Sequence, residues 1–197
     1  MYILGVTGNI GSGKSTVSKH LAESGAGFSQ SDDLAKELLQ NDSDLLEQLA
    51  HRFGQDILDE RGQLRRHILA ERAFATREDQ KFLNQLIHPK VRQVTLARLD
   101  QARKENRSFF VIDAPLLFEA GVDSICDSVL VVVADNIYRQ SRVEHRSQIT
   151  ESDFKRRDNL QLSIEEKINR ADHVIYNNGS LNELLAQVDV LYDQLNL

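Results

Sequence analysis

The sequence predicts an α/β fold, a five-stranded parallel sheet flanked by helices and interrupted by two helical insertions. Three observations predict it. Short runs of β-branched and aromatic residues recur along the 197 residues, apolar at consecutive positions as strands covered on both faces require. Stretches with helical spacing lie between them. A glycine-rich segment joins the first such run to the first helix.

The first strand is "YILGVT", Tyr2 to Thr7, and a weaker second one covers Gly27 to Gln30. Between them "STVSKHLAES", Ser15 to Ser24, sets Val17, Leu21 and Ala22 on one side of a helix that ends at Gly25. "FFVID" (Phe109 to Asp113), "SVLVVV" (Ser128 to Val133) and "HVIY" (His173 to Tyr176) complete the five strands. The last helix opens with a Ser180-x-x-Glu183 capping box and carries Leu181, Leu184, Leu185, Val188 and Leu191 or Tyr192 at helical spacing.

Two segments exceed this alternation. The stretch between Asp32 and Phe109 is far longer than one crossover needs and shows helical patterning at Leu45, Leu46, Leu49 and Phe53, then at Leu83, Leu86 and Ile87. It reads as an inserted helical lobe, in which His88-Pro89 is expected to break a long helical run. The second, Asn136 to Ala171, holds "RQSRVEHRSQ" and "DFKRRD", with helix starts at Thr150-x-x-Asp153 and Ser163-x-x-Glu166. It is either a solvated charged face or, beside a nucleotide site, an arginine-bearing lid. The expected organisation is one domain, with a core of 1–32, 107–135 and 172–197, a helical lobe of 33–106 and a lid of 136–171.

A hydrophobic content of 41% suits a compact core, and a net charge of −6 with a pI near 5.5 argues against a nucleic-acid-coating protein. Small ligands are the expectation. Cys126 is the single cysteine, so no internal disulfide forms, and the six histidines show no zinc spacing; Cys126 reads as a small core residue. No stretch approaches a membrane span, and the N-terminus runs into a strand without a secretory signal, so a cytoplasmic location is expected. The sequence assigns no oligomeric state.

Gly8-Asn9-Ile10-Gly11-Ser12-Gly13-Lys14-Ser15 matches G-x-x-x-x-G-K-[ST], and it lies between a strand and a helix as that motif requires. Its glycines let consecutive N–H groups turn toward a phosphate at a helix N-terminus. Gly8, Asn9, Ile10, Gly11, Ser12, Gly13, Lys14, Ser15 and Thr16 are therefore expected to bind ATP, with Lys14 on its β and γ phosphates and Ser15 on Mg²⁺. Phosphoryl transfer to an alcohol further needs a base, a metal-linked acid and cations over the transferred group. Asp32 and Asp33 follow the second strand, whose carboxyl end should face the ligand crevice. One should look into the site, while Asp33 fits a cap on a helix beginning at Leu34. Asp113 ends "FFVID" just before the turn at Pro115, a suitable place for a metal-linked carboxylate. Glu119 is either a surface charge or a substrate contact, and His88 alone reads as structural.

With these residues in view, the chain resembles the dephospho-coenzyme A kinase family over nearly its whole length. "GVTGNIGSGKST", "SDDLA", "LIHPKVR" and "DAPLLFEAG" carry the resemblance, followed by "RADHVIYNNG". The loop alone indicates only a nucleotide-binding protein, and the other stretches, in this order and spacing, are more specific. The resemblance implies a P-loop kinase core with a helical substrate lobe and a lid. It implies transfer of the ATP γ-phosphate to the ribose 3′-hydroxyl of dephospho-coenzyme A, with ATP and Mg²⁺ required and no nucleic-acid or membrane partner. Asp32 inherits the role of base, and Asp32, His88, Leu117 and Glu119 are implied on the acceptor substrate. Arg142 and Arg146 match spaced lid arginines, and Lys14, Arg142 and Arg146 join Asp32 as catalytic residues. Ser15 and Asp113 are implied on the metal. Three positions depart from the family pattern: Asn9 where glycine is usual, Gln30 where a first acid stands, and Ser147 where an aspartate commonly follows.

Two other classes share the loop. A regulatory GTPase would also carry D-x-x-G, imitated here by Asp59 to Gly62. No apolar strand precedes that stretch, and no Asn-Lys-x-Asp signature occurs. Another small-molecule kinase, for nucleosides or sugars, would keep Lys14 and Asp32 and change the helical lobe.

Overall fold

Along the chain, β1 (Tyr2–Thr7) leads through the glycine-rich loop to α1 (Lys14–Glu23) and β2 (Gly27–Gln30). Four helices follow: α2 (Ser31–Asn41), α3 (Ser43–Phe53), α4 (Arg66–Ala73) and α5 (Arg77–Lys104). Then come β3 (Phe109–Asp113), β4 (Ser128–Val133), α6 (Asn136–Ser147), α7 (Glu151–Asp158), α8 (Ile164–Arg170), β5 (His173–Tyr176) and α9 (Leu181–Gln194). This is a computed structural model that describes residues 1–147 and 150–195, with the side chains of all of these except Arg146, Ser147, Asp153 and Arg157.

The five strands pair in the order β2-β3-β1-β4-β5, and every pairing is parallel. β3 and β4 are buried at every position, which is why their sequences are continuously apolar rather than alternating. Leu4, Val6, Phe109, Val111, Leu130, Val132 and Ile175 turn one sheet face toward Val17 and Leu21 of α1 and Leu184, Val188 and Leu191 of α9. Leu181, expected on the buried stripe of α9, is exposed, because it is the first residue of the helix and the stripe begins a turn later. Two of the three expected caps are present as capping boxes: the Ser163 and Ser180 hydroxyls accept from the backbone N–H groups of Glu166 and Glu183, whose carboxylates answer the cap N–H groups, while the Asp153 side chain of the Thr150-x-x-Asp153 start lies outside the described residues. The central β1 sits between β3 and β4, so the loop after β1 and the end of β3 lie side by side at the carboxyl edge of the sheet. In such sheets this is the ligand crevice.

The chain divides into two compact units, Met1–Gln30 with Ala97–Leu197, and Ser31–Leu96. The second unit has its own core, in which Leu34, Leu45, Leu49, Phe53, Ile57, Leu69, Leu83, Ile87 and Val91 are buried. Asp42 caps α3 by accepting from the Leu45 N–H at 2.9 Å, and its other oxygen takes Lys90 at 2.5 Å. Asp59 closes a turn by accepting from the N–H groups of Arg61 and Gln63, so the D-x-x-G look-alike is a turn motif.

Two local expectations fail here. Pro89 does not break the helical run: α5 continues through it from Arg77 to Lys104. An interior proline costs roughly 3 kcal/mol, and the burial of Leu83, Ile87 and Val91 on one face of the helix offsets it. Asp33 is not a cap. α2 begins at Ser31, directly after β2, and Asp32 and Asp33 both lie inside its first turn, where acids oppose the helix dipole favourably. Asp33 pairs instead with Lys36 at 2.7 Å.

Candidate active site

The loop from Gly8 to Gly13 carries the chain from β1 into α1, and its bend depends on backbone angles closed to most residues. Gly11 has φ 80° and Gly13 φ 99°, and a Cβ on Gly11 would stand 2.5 Å from the Arg139 carbonyl oxygen. The Gly13 carbonyl already accepts from the Thr16 N–H at 3.0 Å, so the helix starts at once and directs its N-terminus along the loop.

Lys14, the first residue of α1, turns back across this loop. Its ammonium lies 3.0 Å from Oδ1 of Asp113 and donates to the Ser15 hydroxyl at 3.5 Å. Asp113 is fully buried at the end of β3, opposite Val6 of β1 on one side and Gln30 of β2 on the other. A carboxylate at that depth requires a cation or strong donors, and Lys14 supplies the charge. The cation and hydroxyl of Lys14 and Ser15 and the sequence-distant acid of Asp113 thus converge at the mouth of the loop.

The shoulder of the loop is held by the end of α7 and the segment that follows it. Asn9 donates from its side-chain amide to Asp158 at 3.2 Å, and the Ile10 N–H donates to the side-chain oxygen of Gln161 at 3.0 Å. Asp158 also accepts from both terminal guanidinium nitrogens of Arg139, at 2.6 and 3.0 Å. Arg139 is buried, and it donates to the Ile10 carbonyl at 3.4 Å and lies 5.5 Å from the ring centre of Phe154. The donors of Arg139 are thus taken by acceptors within the protein. Two basic residues of this segment, Arg139 and Lys167, are buried and so take no part in a solvated face.

Arg142 follows a different path. Its Nη2 donates to the backbone oxygen and the side-chain oxygen of Asn177, at 2.9 and 3.2 Å, while its buried Nη1 has no hydrogen-bond partner among the described residues. Asn177 in turn donates to the Ser12 carbonyl at 2.7 Å. The side chain of Arg146 lies outside the described residues, as does that of Ser147.

Beyond β3, Lys167 is fully buried. It donates to the Pro115 carbonyl at 2.8 Å and lies 3.5 Å from Glu119. Burial pushes the Lys167 ammonium below its usual range, with the neighbouring Glu119 pulling the other way. Glu119 also accepts from the Leu162 N–H at 2.8 Å on the same oxygen, Oε1, while its buried Oε2 has no hydrogen-bond partner among the described residues. Leu117 is fully buried beside Gly5, packed inside the core. Cys126 is mostly buried, and burial with the nearby Asp123 and Asp127 pushes its thiol up to about 12, which suits an inert packing residue. In the second unit, Asp32 is exposed in the first turn of α2, and His88 is half-buried on α5.

Four residues escaped the reading of the sequence. Lys167 in "IEEKINR" and Asp158 in "FKRRD" look like ordinary surface charges, and Gln161 carries no pattern at all. Asn177 did have a signal: it directly follows the carboxyl end of a strand, where ligand-side residues gather in parallel sheets. Among the described residues no group of three or more His, Cys, Asp and Glu could hold a metal ion by itself, and no helix is long and apolar enough to cross a membrane.

Comparison with known proteins agrees with this geometry. The model of the CoaE family, dephospho-CoA kinase, matches residues 2–183. A dephospho-CoA kinase of Fusobacterium nucleatum is 39% identical over 187 residues, covering 95% of each chain. Among solved structures, TT1252 from Thermus thermophilus is 32% identical with a TM-score of 0.82, over 98% of this chain and 97% of that one. The dephospho-CoA kinase from Campylobacter jejuni is 27% identical with a TM-score of 0.72, over 98% and 96%. A glycine loop answered by a buried acid on the neighbouring strand, on a scaffold shared with these proteins along its length, leads to one conclusion: the chain belongs to the dephospho-CoA kinase family.

Proposed function

We propose that this protein transfers the γ-phosphoryl group of ATP to the ribose 3′-hydroxyl of dephospho-coenzyme A, giving ADP and coenzyme A, in the cytoplasm. The observation that carries the reading, beside family membership, is the convergence of Lys14, Ser15 and Asp113 at the glycine loop. An ammonium at the N-terminus of a helix, beside backbone N–H groups, suits the charge that builds on a phosphate chain.

In this reading the acceptor oxygen attacks the γ-phosphorus, the bond from that phosphorus to the β-phosphate oxygen breaks, and the hydroxyl proton passes to Asp32. Asp32 stands two residues beyond Gln30, the last residue of β2. Lys14 and Arg142 supply cations to the phosphate oxygens, with Arg146 as a further candidate. The backbone from Gly8 to Thr16 cradles the phosphates. Residues 33–106 would hold the acceptor, with His88 among them, and 136–171 would act as the lid. Leu117 supports this site from within the core, while Glu119 keeps its unpartnered Oε2 for the acceptor.

Mg²⁺ fits the donor set, because Ser15 and Asp113 offer a hydroxyl and a carboxylate, hard oxygen ligands that leave the remaining positions to phosphate and water. When bound it neutralises charge on the β and γ phosphates.

The test is mass spectrometry of dephospho-coenzyme A after incubation with ATP, Mg²⁺ and the protein. A gain of one phosphoryl group at the 3′ position is expected. An unchanged acceptor, with a nucleoside or sugar phosphorylated instead in a panel of alcohols, would replace this reading with that of another small-molecule kinase.

A further inference from the structure

Asn177 is a buried polar residue that meets both the phosphate loop and Arg142, and nothing in the proposed chemistry uses it. It is buried immediately after β5, and its own N–H donates to the Val133 carbonyl of β4 at 2.7 Å, which fixes its backbone to the sheet. From that anchor it acts in two directions. Its amide nitrogen donates to the Ser12 carbonyl at 2.7 Å, and the same nitrogen occupies the space that a Cβ on Gly13 would fill. Its backbone and side-chain oxygens both accept from Nη2 of Arg142, at 2.9 and 3.2 Å.

The consequence lies in the other half of that guanidinium. A guanidinium is planar and rigid, so two acceptors on one terminal nitrogen fix where the second terminal nitrogen sits. In Arg142 that second nitrogen, Nη1, is buried and has no partner among the described residues, a costly arrangement for a charged donor unless an acceptor arrives in the working enzyme. The Tyr138 ring, with its centre 5.8 Å from the guanidinium carbon, restricts movement further. Asn177 therefore ties a poised cationic donor to the phosphate loop through one amide group: Arg142 on its oxygens, Ser12 on its nitrogen.

We propose that Asn177 is a positioning residue for phosphoryl transfer, holding Arg142 so that Nη1 is presented to an anionic oxygen of the bound nucleotide in register with the loop. This rests on the kinase reading above and adds to it the group through which Arg142 acts. An interaction held ready for charge that grows in the transition state is felt in kcat more than in KM.

The experiment is a double-mutant cycle on the full-length protein, with kcat and the KM for ATP measured for wild type, Asn177→Ala, Arg142→Ala and the pair, and with ADP affinity and melting temperature alongside. Arg142→Ala is expected to lower kcat roughly a hundredfold, and Asn177→Ala roughly thirtyfold with ADP affinity within about threefold of wild type. Because one acts through the other, the double variant should lie within about threefold of Arg142→Ala alone. Full multiplication of the two losses, or an Asn177→Ala enzyme within twofold of wild type, would overturn the proposal. If Asn177→Ala does not fold, Asn177→Asp keeps both acceptors for Arg142 and should turn over at least about tenfold faster than Arg142→Ala; a variant as slow as Arg142→Ala would equally overturn it. Wild-type turnover is measured first. Its absence defeats the kinase reading and this inference with it, whereas an active wild type with uncoupled Asn177 and Arg142 defeats the inference alone.

Discussion

Lys14 and Asp113 form an ion pair of 3.0 Å that joins the start of α1 to the end of β3, with the acid fully buried and the lysine side chain 11% exposed. The pair makes Lys14 structural as well as chemical, and the two roles separate by mutation. Lys14→Met is expected to lower kcat/KM about a thousandfold or more through loss of the phosphate cation. It should also cost about 2 kcal/mol of stability, because a buried carboxylate loses the cation beside it. Adding Asp113→Asn should restore most of that stability without restoring activity. Urea unfolding and steady-state kinetics on the three variants check this, and a stability loss that persists in the double variant would count against it.

Asp32 is expected to act in the transition state rather than in binding. Asp32→Asn should therefore lower kcat by roughly a hundredfold or more while the KM for dephospho-coenzyme A moves by less than about threefold. Asp33→Asn, whose partner is the exposed Lys36, should leave both constants within about twofold. Equal effects of the two substitutions would move the base elsewhere.

The strands and the loop were legible because each rests on short-range chemistry. Tyr2–Thr7, Phe109–Asp113 and Ser128–Val133 are apolar in unbroken runs, and the glycine spacing before Lys14 suits a phosphate-binding turn and little else. Pro89 misled because proline's local preference says nothing about how much apolar surface the rest of α5 buries. Lys167 and Arg139 were illegible for the converse reason. A charge becomes a buried structural element only through partners distant in sequence, here Pro115 and Glu119 for one and Ile10 and Asp158 for the other. Asp113 could be marked as an acid at a strand end, but that it would meet Lys14 followed only from the strand order that sets β1 beside β3.

Asp42 gives the second unit a measurable pH dependence. Its hydrogen bond to Lys90, and then the one from the Leu45 N–H, hold its carboxyl below the ordinary value of 3.8. A carboxyl lowered on folding contributes stability in full above its unfolded value, and that contribution is lost as the pH falls through the folded value. Asp42→Asn retains the helix cap and removes only the charge. It should be less stable than wild type by about 1 kcal/mol at pH 7. The gap should narrow as the pH drops below 3.8. Melting temperatures of the two proteins across that range decide it; a constant gap would mean that the charge of Asp42 is not what stabilises this corner.

Arg139 and Arg142 lie on consecutive turns of α6 and are expected to fail differently. Arg139 meets Asp158 with both terminal nitrogens and also reaches Asn136 at 3.0 Å and the Ile10 carbonyl, all within the protein. Asp158 is shared with Asn9, so removing Arg139 leaves a partly buried acid against the shoulder of the phosphate loop. Breaking a buried ion pair costs about 3–5 kcal/mol in general, and the partial exposure of Asp158 reduces this to about 2 kcal/mol. For a chain of this size that corresponds to a fall in melting temperature of roughly 4–8 °C. Asp158→Asn should recover part of the loss when combined with Arg139→Ala, since it discharges the stranded acid. Turnover of Arg139→Ala, measured well below its melting temperature, should stay within about tenfold of wild type, in contrast to the roughly hundredfold loss expected for Arg142→Ala. An Arg139→Ala enzyme that melts like wild type but turns over a hundredfold more slowly would show that this arginine leaves Asp158 for the phosphate during the reaction, and would add it to the catalytic set.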